Sequence, residues 1–161
     1  MSEPELAEYD AARVERFESE AVLLRQALGD LARGIEHVGS TAVPGLAGKP
    51  TVDIAVGVDT IDLPQGAVDA LGAAGFRHQP DETRQWELRF AKGDDFPRAV
   101  IVHVIEWQGW KWRDFIRFRD ALRDDPELAS EYEGLKRSLL QRGYWYRGVD
   151  KRELIERVLA Q

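Results

Sequence analysis

"IEHVGSTAVPGLAGKPTVDIAVGV", residues 35–58, sets four glycines, two prolines, a Ser-Thr pair and a single aspartate between two apolar runs. The first run, Ile35 to Val38, is short and stops at Gly39. The second, Thr51 to Val58, is β-branched and apolar, with Val52, Ile54, Val56 and Val58 on one face of a strand. Thr51, Asp53 and Ala55 fall on the opposite face. The segment therefore predicts strand, glycine-rich loop, central strand, with a carboxylate held on the second strand. A plain turn needs only one or two glycines or prolines, so the surplus invites a chemical reading.

Working outward, an amphipathic helix precedes this segment. Val14, Phe17, Ala21, Leu24, Leu28 and Leu31 recur at steps of three and four, which is one helical face. After it, a helix over about Pro64 to Ala74 should end at Gly75. "RQWELRFAKGDDFPRAVIVHVIEW" reads as two strands with a turn near Gly93 to Pro97. Trp86, Leu88 and Phe90 are expected on one face of the first of these, Glu87 and Arg89 on the other. The last third is helical. Trp112, Phe115, Ile116 and Leu122 form one stripe; "DDPEL" supplies an Asp cap with proline at the first helical position. Leu128, Tyr132, Leu135 and Leu139 carry the pattern on to Gly143. Asp150 with Glu153 reads as a capping box for a terminal helix bearing Ile155, Val158 and Leu159. The expected fold is α+β: a small mixed sheet flanked by helices, with a helical C-terminal third, in a single domain over residues 1–161.

The bulk numbers narrow the function classes. The formal net charge is −7, which disfavours nonspecific binding to nucleic acid or anionic membrane. There is no cysteine, so a disulfide framework, a thiolate metal site and a cysteine nucleophile are excluded. The N-terminus "MSEPELAEYD" lacks a signal-peptide layout, and no apolar run reaches membrane-spanning length. A cytoplasmic location is the plain expectation.

Gly39 lets the backbone approach a ligand, and Ser40, Thr41 and the amides after them can donate to a phosphate. Asp53 on a rigid strand could ligate Mg²⁺, which takes carboxylate, water and phosphate oxygens together. Lys49 adds a nearby positive charge. The bland reading stands beside this: the glycines shape turns and Asp53 bonds backbone at a strand edge. His103, flanked by valines, reads equally as a hydrogen-bonded structural histidine or as a ligand or general base; His37 leans structural. "WQGWKW", residues 107–112, could stack a base or close a core edge. Arg119 and Lys136 are candidate phosphate contacts if they turn inward. Arg123 reads as part of a solvated charged face.

"YDAARVERFESEAVLLRQAL" (9–28), "IEHVGSTAVPGLAGKPTVDI" (35–54), "HVIEW" (103–107) and "FRDALRDDPELASEYEGLK" (118–136) together resemble the GrpB family, in order and over nearly the whole chain. The resemblance implies a fold similar to the nucleotidyltransferase superfamily, in which a Gly-Ser turn precedes a strand bearing metal-binding carboxylates. It implies a pocket at Gly39, Ser40 and Asp53 for a small nucleotide or other phosphate-bearing ligand, and catalytic roles for Asp53 and His103. Family members fused to dephospho-CoA kinase add a protein partner as an alternative. The departure is that the superfamily's usual Asp-x-Asp or Asp-x-Glu pair is here Asp53-Ile54-Ala55. Two-metal chemistry needs several anionic ligands, so a non-catalytic nucleotide- or anion-binding module is the competing expectation.

Overall fold

The computed structural model describes residues 6–82, 84–93, 98–142 and 152–161. Five strands form one sheet: β1 (Gly34–Val38), β2 (Val52–Val58), β3 (Arg77–His78), β4 (Glu87–Lys92) and β5 (Val100–Glu106). Their spatial order is β1-β2-β5-β4-β3. β2 and β5 run parallel at the centre, while β1, β4 and β3 pair antiparallel with their neighbours. The helices among the described residues are α1 (Ala12–Leu28), α2 (Gln65–Ala73), α3 (Trp110–Asp124), α4 (Pro126–Gln141) and α5 (Arg152–Leu159). The fold is thus mixed α+β, with the central strand over Val52–Val58 and the bracketing helices as the sequence patterns require.

Each face of the sheet has its own cover. Val52, Ile54, Val56 and Val58 join Val100, Val102, Val104 and Phe90 in the main core, closed by Leu24 and Leu28 of α1 and Leu71 of α2. The other face carries Val38, Ala55 and Ile105 against Trp112, Phe115 and Ile116 of α3. A smaller cluster joins Val43 and Leu46 of the loop to Leu122, Tyr132 and Leu154. α4 begins as the Asp-Pro pair dictates: Asp125 Oδ1 accepts from the amides of Glu127 and Leu128 at 3.0 and 3.2 Å, with Pro126 in the first turn.

Three pattern readings shift. α1 ends at Leu28 because Gly29 takes φ 55°, so Leu31 lies in a following 3₁₀ turn and is exposed. Trp86 packs with the α3 cluster, not with Leu88 and Phe90, because β4 starts only at Glu87 and Trp86 sits in the turn before it. Alternation holds only inside the strand. On α5 the buried residues are Leu154 and Val158, one turn apart, with Ile155 and Leu159 half-buried. Gly143, Asp150 and residues 94–97 of the turn lie outside the described residues.

Trp107 shows what the tryptophan cluster does. It lies over Gly57, where an added Cβ would meet Trp107 Cε3 at 2.6 Å and Trp107 Cα at 3.2 Å. Gly57 is paired across the strands with Gly34, so two bare backbones form the floor for one indole. Trp107 and Trp112 pack edge to face, centroids 4.7 Å apart. Gly57→Ala therefore overpacks a close-packed face, and should cost about 1–3 kcal/mol in urea unfolding, with the m-value unchanged.

Candidate functional site

The site is assembled from the second face of the sheet. Asp53 is the second residue of β2, opposite Ile101 of β5; His103 of β5 lies between Ala55 of β2 and Arg89 of β4 in register. Alternation puts Asp53, His103, Glu87 and Arg89 on one face. His103 Nε2 meets Asp53 Oδ1 at 3.0 Å, and His103 Nδ1 makes a short contact with Glu87 Oε1. Glu87 Oε2 accepts from Arg89 Nη2 at 3.1 Å. Glu87 is fully buried and His103 nearly so, while the Asp53 side chain keeps 28% of its surface.

Both imidazole nitrogens face carboxylate oxygens. Ionised carboxylates only accept, so both nitrogens donate and His103 is an imidazolium. Burial opposes that charge, but the hydrogen bonds and charges of Asp53 and Glu87 outweigh it and raise the His103 pKa. Burial likewise works against ionised Glu87, yet the His103 hydrogen bond and charge, with Arg89, hold its pKa below the usual carboxylate value. A continuous run of alternating charge therefore joins three strands, ending at Asp53 near the surface.

At that end stands the glycine-rich loop. Gly39 follows β1 with φ 77°, a conformation that suits glycine, and a Cβ there would come within 2.8 Å of Asp53 Oδ2. Thus one Asp53 oxygen serves His103 and the other faces the turn. Ser40 Oγ accepts from Lys136 Nζ at 2.8 Å, and the same ammonium donates to the Ala47 carbonyl at 2.8 Å. Lys136 is completely buried and lies over the Tyr132 ring, 4.6 Å from its centroid. Burial and the Asp53 charge push the Tyr132 phenol far above its ordinary pKa, a side-chain hydrogen bond with Ser40 only partly offsetting them. Ala47 N donates to Glu133 Oε1 at 2.7 Å, so α4 grips both sides of the loop.

Of the residues singled out in the sequence, Gly39, Ser40, Asp53, His103 and Lys136 come together here. Thr41 is buried and its hydroxyl is used internally: it faces His37 Nε2 at 2.8 Å and donates to the Thr51 carbonyl at 3.4 Å. Arg119 turns inward but onto protein groups, donating to Glu36 Oε2 at 2.8 Å, to the His37 carbonyl at 3.1 Å and to Asp120 Oδ1 at 3.0 Å. Lys49 is half-buried in the loop that leads into β2. Arg123 is exposed, as a solvated residue should be, yet its Nε caps the Ala42 carbonyl at 2.9 Å. Burial drives His37 down to about 4, with Arg123 and Arg119 acting in the same sense against Asp53, so it is neutral in the fold. Its ring stacks on Phe17.

Two participants escaped sequence reasoning. Glu87 was placed on the correct strand face, but nothing local pairs it with a histidine sixteen positions on. Tyr132 counted as a core residue of α4, and it is that too. Its one-turn spacing from Lys136 was the available signal.

A divalent cation finds a limited donor set. Among the described residues no group of three His, Asp or Glu side chains could hold a metal ion. His103 engages Glu87 Oε1 and Asp53 Oδ1 with its two ring nitrogens. Among the described residues of this site a resident metal centre does not fit, and what they offer a cation is the second oxygen of Asp53.

With this geometry established, the kinship is clear. A family model described as GrpB protein matches residues 3–160. The chain belongs to the GrpB family. It is 35% identical over 130 residues to the Glutamate-rich protein GrpB of Alkalihalophilus pseudofirmus, covering 78% of this chain and 75% of that protein. It is 31% identical over 144 residues to a dephospho-CoA kinase of Mycolicibacterium paratuberculosis, 74% of this chain but only 35% of the kinase. The crystal structure of conserved protein GrpB from Enterococcus faecalis superposes with a TM-score of 0.82 at 29% identity, over 97% of this chain and 98% of that one. A chain of the GLD-2/RNP-8 complex aligns at a TM-score of 0.55 and 13% identity over 81% of this chain and 54% of that one, a likeness of fold alone. No described helix of this GrpB member is long and apolar enough to cross a membrane.

Titration separates the histidines. His37 should titrate near 4 by NMR, and stability should fall by roughly 3 kcal/mol as pH drops from 6.5 through 4, because the unfolded chain takes up a proton that the fold refuses. His103 has the opposite sign: its raised pKa gives stability fully present below about 6.5 and lost as pH rises through the folded value. Glu87→Gln should return His103 toward ordinary titration and cost about 3 kcal/mol, since it strands a buried cation; unchanged His103 titration would break the assignment.

Proposed function

We propose that this GrpB protein binds a phosphate-bearing small molecule, a nucleotide being the leading class, over the Gly39–Ser40 turn beside Asp53. The observation that carries the reading is the pairing of opposite charges at one turn. Lys136 holds the Ser40 hydroxyl from below, while Asp53 Oδ2 lies against Gly39. A phosphate alone would be repelled by Asp53. A phosphate that arrives with Mg²⁺ would not, since Mg²⁺ is commonly held through one carboxylate, water and substrate phosphates. The cation then belongs to the ligand, in keeping with a site that lacks a resident metal's donor set.

Binding, not two-metal nucleotidyl transfer, is the chemistry this donor set favours. Transfer through two metals requires several carboxylates to offset cation repulsion. Here Glu87 is engaged by His103 and Arg89, and one oxygen of Asp53 by His103. Ser40, oriented by the buried Lys136 ammonium, would meet the phosphate side, Asp53 the cation side. A second reading, assistance to a partner enzyme, draws on the likeness to the kinase of M. paratuberculosis. It is tested by assaying a separately expressed dephospho-CoA kinase with and without this chain.

The primary test is a thermal-shift series of nucleotides with and without Mg²⁺ on wild type and Asp53→Asn. At about a hundred times its dissociation constant a ligand stabilises by roughly 2.7 kcal/mol, a midpoint rise of roughly 5–10 °C for a chain of this size. The expected shift requires Mg²⁺ and disappears in Asp53→Asn. A shift that survives the substitution would move the site elsewhere.

A further inference from the structure

A separate cavity of about 340 Å³ opens at the far end of the sheet, lined by Asp59, Thr60, Gln85, Trp86, Glu106 and Trp110, among others. Asp59 follows the last residue of β2, whereas Asp53 stands near its first, so some six residues, about 20 Å of strand, separate the two places. The volume falls in the range of small-molecule sites. Trp110 is 56% exposed, the most exposed large hydrophobic side chain among the described residues. The neighbouring indoles Trp107 and Trp112 are packed into the protein, but Trp110 stands at the cavity wall, edge-on to Trp86 with centroids 5.3 Å apart.

The charges around it are unequally committed. Asp59 is paired with Arg33 at 3.0 Å. Lys111, which also lines the cavity, holds its ammonium over the rings of Trp86, Phe115 and Trp110, 4.9, 4.8 and 5.8 Å from their centroids. Burial lowers its pKa, and the charges of Glu87 and Asp114 pull it back up, so this cation is directed at its own protein. Glu106 closes β5 with an exposed side chain, beside the Gly109 turn that starts α3, and forms no ion pair among the described residues. What the cavity presents to solvent beside Lys111 is therefore one carboxylate without an ion pair, Glu106, next to the exposed indole of Trp110.

We infer that this cavity binds a guanidinium group, stacked on Trp110 and held by the carboxylate of Glu106. A guanidinium is flat, weakly hydrated and matched to a carboxylate by two parallel hydrogen bonds, and it stacks on indole where a compact ammonium does not. Thr60 and Gln85, both with side-chain oxygens that can accept, also line the cavity. The chain's net charge of −7 favours approach of a cation over an anion.

The test is an NMR titration of the whole chain with agmatine, following the indole N–H signal of Trp110, identified by its loss in Trp110→Leu. Both Trp110 and Glu106 are exposed, so neither substitution empties the core. A saturable shift is expected for agmatine, with binding at least tenfold weaker in Glu106→Gln and at least fivefold weaker for butylammonium. Absence of a saturable shift, equal binding in Glu106→Gln, or equal binding of butylammonium would each overturn the inference. None of these results depends on the Asp53 site, which Asp53→Asn tests by itself.

Discussion

One imidazolium ties the middle of this protein together. His103 projects from the central strand β5 and meets carboxylates from the strand on either side, Asp53 of β2 and Glu87 of β4. A buried charge is costly unless paired and hydrogen-bonded, and here each ring nitrogen and each facing oxygen finds its partner. Arg89 completes the accounting on Glu87. The consequence is directional: three interior strands are locked in register by polar contacts on one face, while valines do so on the other. A one-residue slip of any strand would turn both sets to the wrong side.

The C-terminal helices matter to the site for a different reason. Gly39 to Gly48 contains almost no regular structure, and such a loop needs outside support for its backbone groups. α4 provides it through Glu133 on the Ala47 amide and Lys136 on the Ala47 carbonyl and Ser40. Arg123 of α3 adds the Ala42 carbonyl. The turn that faces Asp53 is therefore shaped by residues about ninety positions downstream.

That distance explains what the sequence could and could not reveal. The strand over Val52–Val58 and the cap at Asp125 are local matters of alternation and turn chemistry, and both were legible. The strand, glycine turn and carboxylate-bearing strand were legible too, and the pairing of Val38 with Asp53 sets Gly39, the next residue, beside that carboxylate. Glu87 as the partner of His103 was not, because strand order decides which charged faces meet. Trp86 was misplaced for a related reason: a period-two pattern does not announce the residue at which the strand begins. Arg119 turns inward as expected, and its partners in the fold, Glu36 among them, could not be read from the sequence.

The parallel pairing of β2 with β5 also governs how the protein reaches this state. Val52–Val58 and Val100–Glu106 are neighbours in the sheet, yet the chain builds a helix and two other strands between them. Closing so long a loop costs entropy before any pairing rewards it, and nonlocal pairings of this kind slow folding. Glu87 and His103 face each other within the antiparallel β4–β5 pair, but Asp53 joins them only when that closure is complete. Until then the Asp53 side chain remains in water, where an isolated carboxylate carries no penalty. The complete charge cluster thus forms together with the sheet's centre.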